Sequence, residues 1–195
     1  MNQIALVYHS GHGHTEHIAR HVAAGADDTG LAQVHVLRAQ DVIANPRLLT
    51  RYEGILLGSP TYLGGVSGPF KTFMDATGGL WREQALRGKL AAGFTVSSLP
   101  AGDKQSTLIS MLTFAMQHGM QWVGNPVMPE QHSGVPVEQA ANRLGSWTGL
   151  MAQAAHGAAA DAFTPGDLRG ARLFGMHFAQ ALQRLAFAAE AEVAA

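Results

Sequence analysis

The stretch Ser10-Gly11-His12-Gly13-His14-Thr15 has the residue types that can hold a phosphate group. It follows a short apolar run and precedes a segment with helical spacing, so its backbone N–H groups lie at a helix N-terminus, which attracts anions. Since the stretch has no lysine or arginine, backbone amides, hydroxyl groups and the helix dipole would hold the phosphate, with His12 or His14 as additional donors. The alternative is an ordinary glycine turn, because turns between strands and helices commonly need glycine.

Two better-known phosphate motifs are incomplete in this sequence. Gly11-His12-Gly13 begins the dinucleotide motif G-x-G-x-x-G, but Glu16 occupies the position of its third glycine. The segment from Gly65 to Thr72 ends like a P-loop, yet Phe70 replaces the required glycine and Pro69 lacks a backbone donor. Neither a dinucleotide-binding fold nor nucleoside triphosphate hydrolysis is predicted.

Histidines are concentrated near the N-terminus, at His9, His12, His14, His17 and His21. His17 and His21 are four residues apart on a predicted helix, a spacing that can chelate a metal ion. No HExxH pattern accompanies them. We therefore predict no metal site.

Two further loops have residues suited to a planar ring. The first joins a proline to an aromatic residue and a flexible glycine, and consists of Pro60, Thr61, Tyr62, Leu63 and Gly64. The second offers exposed amides, and consists of Ser97, Ser98, Leu99, Pro100, Ala101 and Gly102. In a doubly wound sheet the loops after the first, third and fourth strands meet at one edge. All three loops are therefore expected to surround one ligand.

Short apolar runs alternate with segments of helical spacing over the first two thirds of the chain. Strands are predicted at residues 4–8, 34–37, 54–60, 89–96 and 121–124, and helices at 15–26, 67–77 and about 103–117. This alternation predicts an α/β fold, a flavodoxin-like three-layer sandwich with a five-stranded parallel sheet in the order 2-1-3-4-5 and helices on both faces. Residues 1–195 are expected to form one domain.

The last third of the chain has a weaker repeat. Between Pro126 and Ala160, proline, glycine and serine interrupt any period, which predicts a long loop leading into a helix. Thr164-Pro165-Gly166-Asp167 is a helix-start pattern, with Thr164 as the N-cap. An apolar stripe from Leu168 to Leu185 then predicts a final helix of roughly five turns.

Composition and charge exclude several functional classes. The net charge of −1 gives no basic footprint for nucleic acid. The chain has no cysteine, which excludes disulfides and thiol catalysis and favours a cytoplasmic location. The apolar run near the N-terminus is too short for a signal peptide or a membrane span, so no membrane insertion is expected. Charged residues make up only 14%, which leaves a surface compatible with oligomerisation.

The chain resembles the flavodoxin-like NAD(P)H:quinone oxidoreductases of the tryptophan-repressor-binding-protein A (WrbA) type, and more loosely the FMN-dependent NAD(P)H reductases. The resemblance covers residues 1 to about 125, and Thr77-Gly78-Gly79-Leu80-Trp81 is its most specific segment because ordinary flavodoxins lack it. The other matching segments are Ser10 to Thr15, Gly58 to Tyr62, Ser67-Gly68, Thr72-Phe73 with Asp75, Gly88 to Ala91, and His118-Gly119-Met120.

This resemblance implies FMN as the cofactor. The FMN phosphate would lie on Ser10 to Thr15, and the isoalloxazine ring against Pro60 to Gly64 and Ser97 to Gly102. Trp81 would face a flavin across a subunit interface of a homodimer or homotetramer, and His118 would lie near the substrate pocket. The implied substrates are NAD(P)H and a quinone or another small acceptor.

The sequence departs from the family on the substrate side. Leu99 and Pro100 make the loop after the fourth strand stiffer than the family's glycine-rich loop. Gln117 stands where relatives have the histidine near the flavin, so no catalytic residue is assigned. After Val127 the family's segment with glycine and tyrosine is absent.

Three functions are compatible with these features. The first is an FMN enzyme that passes electrons from NAD(P)H to a quinone or similar acceptor. The second is a flavodoxin-like carrier between protein partners, which the near-neutral charge disfavours because carriers use an acidic face for docking. The third is a non-flavin anion or metal binder that would use the first loop and the histidines.

Overall fold

The structure is a computed structural model that describes residues 1–193. Its strands are β1 (Asn2–Tyr8), β2 (Ala32–Arg38), β3 (Gly54–Tyr62), β4 (Gly65–Val66), β5 (Leu90–Ser97), β6 (Gln121–Trp122) and β7 (Leu150–Gln153). Its α-helices are α1 (His14–Asp27), α2 (Ala39–Ile43), α3 (Gly68–Ala76), α4 (Gly78–Glu83), α5 (Lys104–Gln117) and α6 (Pro165–Val193). Two short 3₁₀ helices cover Pro46–Arg51 and Glu130–Ser133.

The centre of the sheet follows the doubly wound order. Neighbouring parallel strands run β2-β1-β3-β5, and all residues of β3 up to Pro60 are buried. Strands buried on both faces form continuous apolar runs, which is why the sequence located β1 and β3. The expected α/β fold and the order of its first four main strands are confirmed.

The predicted number of five strands is wrong, because the sheet has seven strands among residues 1–193. The two-residue strand β4 pairs antiparallel with the end of β3, at Thr61 and Tyr62. The fifth position of the sheet is divided between two short strands, since β6 pairs with β5 at Leu90 and Ala91 and β7 pairs with it at Phe94–Ser97. Pro126 and Pro129 lie between these two strands, and each lacks the N–H that a ladder needs.

Residues 123–149 therefore leave the sheet and return to the same edge. The backbone N–H of Asn125 donates to the carbonyl of Trp147 at 2.8 Å, and the Asn125 amide donates to the carbonyl of Ser146 at 3.0 Å. These bonds close the base of the excursion. The prediction that residues 126–160 form only a loop leading into a helix is thus corrected, because β7 lies within that range.

Two hydrophobic clusters fill the two faces of the sheet. One joins α1 and α6 to the sheet, and the other joins α3 and α5 to it. Helices α1 and α6 approach backbone to backbone, since a Cβ on Gly25 would overlap the carbonyl of Arg172 and a Cβ on Gly175 would overlap that of Val22. The glycines thus allow the long final helix to cover the first one.

The final helix begins where the sequence predicts and continues further. The hydroxyl of Thr164 accepts the backbone N–H of Asp167 at 3.2 Å, which confirms the N-cap. The helix has 29 residues, about eight turns, rather than roughly five. The apolar stripe stops near Leu185, but the alanine-rich residues beyond it have high helix propensity and continue the helix. Over the described residues, no helix has both the length and the apolar character needed to cross a membrane.

Candidate functional site

The three loops predicted to meet do line one cavity of about 920 Å³ at the carboxyl ends of β1, β3 and β5. Of the predicted site residues, those that line it are Ser10, Gly11, His12, His14, Thr15, Pro60, Thr61, Tyr62, Leu63, Gly64, Ser97, Ser98, Leu99 and Gly102. Gly13, Pro100 and Ala101 lie in the same loops without lining it. Asp103, the residue that follows the third loop, also lines the cavity, as do Val96 and residues 154–158, which the sequence did not indicate.

The first loop has the features of an anion cradle. Gly13 has a φ of +87°, which favours glycine, and α1 starts directly after it. The first helical hydrogen bond runs from the N–H of His17 to the carbonyl of Gly13, so the N–H groups of His14, Thr15 and Glu16 have no partner within the helix. The hydroxyl of Ser10 is buried and has no hydrogen-bond partner in the described part of the chain. A phosphate would satisfy these donors.

The cradle is also closed on two sides. A Cβ at Gly11 would lie 2.6 Å from the hydroxyl oxygen of Tyr62, and a Cβ at Gly13 would lie 2.7 Å from the Cβ of Ala160. A side chain at position 13 would therefore overlap Ala160, and one at position 11 would require the Tyr62 side chain to move. The Nε2 of His14 lies 3.2 Å from the carbonyl oxygen of Ala158, which ties the segment after β7 to the loop. His14 is thus engaged with protein, whereas His12 is exposed.

The second loop, Pro60 to Gly64, is anchored by hydroxyl groups of buried threonines. The Oγ1 of Thr61 lies 2.8 Å from those of both Thr95 and Thr107, and these two are buried. Beyond Thr61, Tyr62 and Leu63 are exposed at the mouth of the cavity. Leu63 has a φ of +48°, which a leucine rarely adopts, and such strain concentrates at ligand sites. The hydrogen-bonded threonines thus hold in place a segment whose Tyr62 and Leu63 side chains form an exposed apolar wall of the cavity.

A buried histidine supports the same loop. The hydroxyls of Ser59 and Ser67 lie 3.3 Å apart, and that of Ser67 lies 2.8 Å from the Nδ1 of His9. Burial lowers the pKa of His9, so its ring is neutral at pH 7. The hydrogen-bonded chain gives the loop a fixed base.

The third loop, Ser97 to Gly102, is held by a lysine that no sequence motif indicated. Lys104 is completely buried, and its Nζ donates to Ser97 Oγ at 3.0 Å, Leu99 O at 2.6 Å and Pro100 O at 2.9 Å. Burial lowers the pKa of Lys104 to about 8, against the attraction of Asp167. A lysine as the first residue of a helix was the available signal, because the helix dipole disfavours a cation there.

A buried ion pair anchors the segment after β6 next to this loop. Arg143 donates to both carboxylate oxygens of Asp167 at 2.9 Å, and both side chains are largely buried. Asp167 also accepts the backbone N–H of Gln153 at 3.1 Å, and the Gln153 amide donates to Ser98 O at 3.1 Å. The ion pair is therefore linked through Gln153 to the wall of the cavity.

Trp81 and His118 lie in a different place. They line a separate cavity of about 430 Å³ formed by residues of α3, α4 and α5, and Trp81 is half-exposed. The Nε2 of His118 lies 3.0 Å from the hydroxyl of Thr77, and its Nδ1 has no partner among the described residues. Burial lowers the pKa of His118, which keeps its ring neutral at pH 7. Within one chain these residues do not join the first cavity.

His17 and His21 make packing contacts and do not form a metal-binding cluster with other described residues. His17 stacks on Phe163 with ring centres 5.8 Å apart, and the rings of His17 and His21 are 4.9 Å apart. Over residues 1–193, no group of three His, Cys, Asp or Glu side chains is placed to hold a metal ion.

Comparison with known proteins gives three kinds of match. Residues 40–133 match the family model described as NADPH-dependent FMN reductase. Two relatives cover most of both chains: Flavodoxin FldP of Pseudomonas aeruginosa, 36% identical over 95% of this chain and 99% of its own, and the NAD(P)H dehydrogenase (quinone) of Archaeoglobus fulgidus, 35% identical over 78% and 98%. A solved flavodoxin, a WrbA-like protein from Agrobacterium tumefaciens, is 31% identical with a TM-score of 0.71 over 94% of this chain and 99% of its own.

Proposed function

Because the chain belongs to the flavodoxin-like family of WrbA-type, FMN-dependent NAD(P)H reductases, we propose that it passes electrons from NAD(P)H through FMN to a quinone or similar small acceptor. The family cofactor is FMN, and the family activity is that of an oxidoreductase. The quinone is the finer part of the proposal. One relative, the NAD(P)H dehydrogenase of Archaeoglobus fulgidus, is named for that acceptor.

The observation that carries the proposal is the cavity between the three loops. It contains an anion cradle formed by the Ser10 hydroxyl and the first three N–H groups of α1, none of which has a partner among the described residues. The same cavity is lined by the exposed side chains of Tyr62 and Leu63 and by residues of the polar loop from Ser97 to Gly102. A molecule with a phosphate at one end and a planar polar ring at the other, such as FMN, matches this arrangement.

Bound FMN supplies two-electron chemistry with a nicotinamide and with an acceptor. The residues of the chain have the task of holding the ring, excluding water and leaving one face open. The cavity volume of about 920 Å³ is near the upper limit for ligand pockets, which supports room for a second planar molecule beside the cofactor. No side chain is assigned as an acid or base.

Trp81 and His118 enter this proposal only through a second copy of the chain. We propose a homodimer or homotetramer in which the half-exposed Trp81 reaches the cavity of a partner subunit. An exposed tryptophan on the rim of a 430 Å³ hollow supports a contact of this kind, because large aromatic side chains are favoured at interfaces. The cytoplasmic location stays a prediction from the cysteine-free sequence.

A flavodoxin-like carrier is the second candidate, because a relative with 36% identity is named a flavodoxin. The cavity lining argues for the enzyme instead. It includes one carboxylate, Asp103, and three histidines, His12, His14 and His156, whereas a carrier needs an acidic surface for steering. The net charge of −1 agrees with this.

Anaerobic mixing separates the two candidates. The purified protein, reconstituted with FMN, is mixed with NADPH and with NADH while the absorbance of the flavin is followed. Rapid bleaching by either nucleotide, followed by turnover with a panel of quinones, is the expected result. Bound flavin that neither nucleotide bleaches would contradict the enzyme and favour the carrier. Protein that shows no flavin bands after soaking in FMN would contradict both.

A further inference from the structure

Most carbonyl groups of the third loop, Ser97 to Gly102, accept hydrogen bonds from other parts of the protein. Four successive carbonyls, from Ser98 to Ala101, accept hydrogen bonds from donors behind the loop. Gln153 serves the first of them, at 3.1 Å. Lys104 serves the other three, two through its Nζ and the third through its backbone N–H at 3.1 Å.

This arrangement determines where the N–H groups of the loop point. The structure has no cis peptide bond in its described residues, and in a trans peptide the N–H points opposite to the preceding carbonyl. The N–H groups of Ala101 and Gly102 therefore point away from Lys104, and the N–H of Leu99 points away from the Gln153 amide. None of them has an acceptor in the described part of the protein. Because Leu99 and Gly102 line the cavity and Lys104 does not, the N–H groups of these two residues are available to a ligand.

Lys104 lowers the stability of the fold for three reasons. It is completely buried, it opens a helix whose dipole opposes a cation, and it makes no ion pair among residues 1–193. The charged groups that act on it are Asp167 of α6, which is attractive, and Arg143, which is repulsive and is itself paired with Asp167. An apolar side chain at this position would not bury a charge or oppose the helix dipole. The benefit of the lysine must therefore come from its hydrogen bonds to the loop.

We propose that Lys104 is a positioning residue for the cofactor: its ammonium group gathers the carbonyls of the Ser97–Gly102 loop and thereby presents the loop's N–H groups to the polar edge of the flavin ring. This inference rests on the proposed function, because it places the ring beside that loop. It adds a role for a residue that lies behind the cavity wall and does not line it. Lys104 acts through the loop and does not touch the ligand.

The affinity for FMN should then depend on the protonation of Lys104. Its pKa of about 8 in the FMN-free protein means that the ammonium form is lost above that pH. If the loop binds only in the protonated form, the dissociation constant rises about tenfold at pH 9 relative to pH 7. This window lies above the second pKa of a phosphate, about 6, so the charge of the FMN phosphate stays constant.

The test uses K104M, with K104Q as a second variant and K89M as the matched control. Lys89 is half-buried and its Nζ likewise donates to two carbonyls, those of Thr50 and Tyr52, but it does not line the cavity. FMN binding is measured by fluorescence quenching from pH 7 to 9. In parallel, the ¹³C carbonyl resonances of Leu99 and Pro100 are followed over pH 7 to 10 in the FMN-free protein.

The expected result is a dissociation constant that rises about tenfold by pH 9 in the wild type and in K89M. In K104M and K104Q the dissociation constant should be at least tenfold higher than that of the wild type at pH 7 and should not depend on pH. The two carbonyl resonances should titrate near pH 8 wherever Lys104 is present. A wild-type affinity that is flat from pH 7 to 9, with carbonyl resonances that do not titrate, would overturn the inference even if neither variant folds. A wild type that does not bind FMN would instead contradict the proposed function, while the carbonyl titration would still decide whether Lys104 controls the loop.

Discussion

Replacing Ser10 with alanine should change stability and binding in opposite directions. The Ser10 hydroxyl is buried without a partner in the described residues, and an unsatisfied buried polar group costs about 1 to 3 kcal/mol. S10A removes this cost, so the FMN-free variant should unfold at the same temperature as the wild type or a few degrees higher. A hydrogen bond to a charged phosphate contributes about 1.5 to 3 kcal/mol. S10A should therefore bind FMN about ten- to a hundredfold more weakly.

Two measurements test this pair of expectations. Calorimetry of the FMN-free protein gives the melting temperature, and titration of the FMN-free protein with FMN gives the dissociation constant. S133A is the matched control, because Ser133 is exposed and outside the cavity. It should leave both quantities unchanged. An S10A variant with wild-type affinity, or one whose FMN-free form is less stable by more than about 1 kcal/mol, would refute the assignment of Ser10 to the phosphate.

Three further substitutions test the framework around the site. R143M should lower the free energy of unfolding in urea by about 3 to 5 kcal/mol, because it leaves Asp167 buried and unpaired, and the double variant R143M/D167L should recover most of that loss. G175A should lower the free energy of unfolding by about 1 to 3 kcal/mol, because the added methyl group forces α6 away from Val22. G170A on the same helix should leave the free energy of unfolding unchanged or raise it. Equal effects of the two substitutions would contradict the close packing of α1 and α6. Burial lowers the pKa of His118, so the unfolded chain takes up a proton more readily; stability should be complete above pH 6.5 and fall as the pH decreases below it. H118Q should reduce this decrease in part, because buried His9 contributes to it as well, and H132Q at an exposed position should not reduce it. A profile that H118Q leaves unchanged would refute the burial argument.

Several unfavourable features meet at the one cavity. Ser10 has an orphaned hydroxyl, Leu63 has a left-handed backbone conformation, and Lys104 has a buried charge. Each lowers the stability of the FMN-free protein, and local rules of this kind are broken mainly at functional sites. A ligand that satisfies the hydroxyl and the free N–H groups would offset part of this cost. FMN is therefore expected to raise the melting temperature, by an amount that grows with the logarithm of the FMN concentration divided by the dissociation constant.

The sequence determined the features that depend on local patterns. Strands β1 and β3 are continuous apolar runs because both of their faces are buried, and α1 begins after Gly13 because only glycine readily adopts its φ of +87°. Thr164 caps α6 through its own hydroxyl, three residues from its donor. The meeting of the three loops follows from the order of the central parallel strands, since their carboxyl ends share one edge.

Only the tertiary structure decided what depends on contacts between distant residues. Strand β7 has four residues and no distinctive pattern, and it forms because β5 leaves an unpaired edge beyond the end of β6. Residues 154–158 become a cavity wall only because the strand before them joins that edge. The Asp167 carboxylate, placed by the sequence in a helix start, pairs instead with Arg143, 24 positions earlier. No sequence motif distinguishes Lys104 from other lysines. In the structure it is buried, and its ammonium group donates to the carbonyls of Leu99 and Pro100.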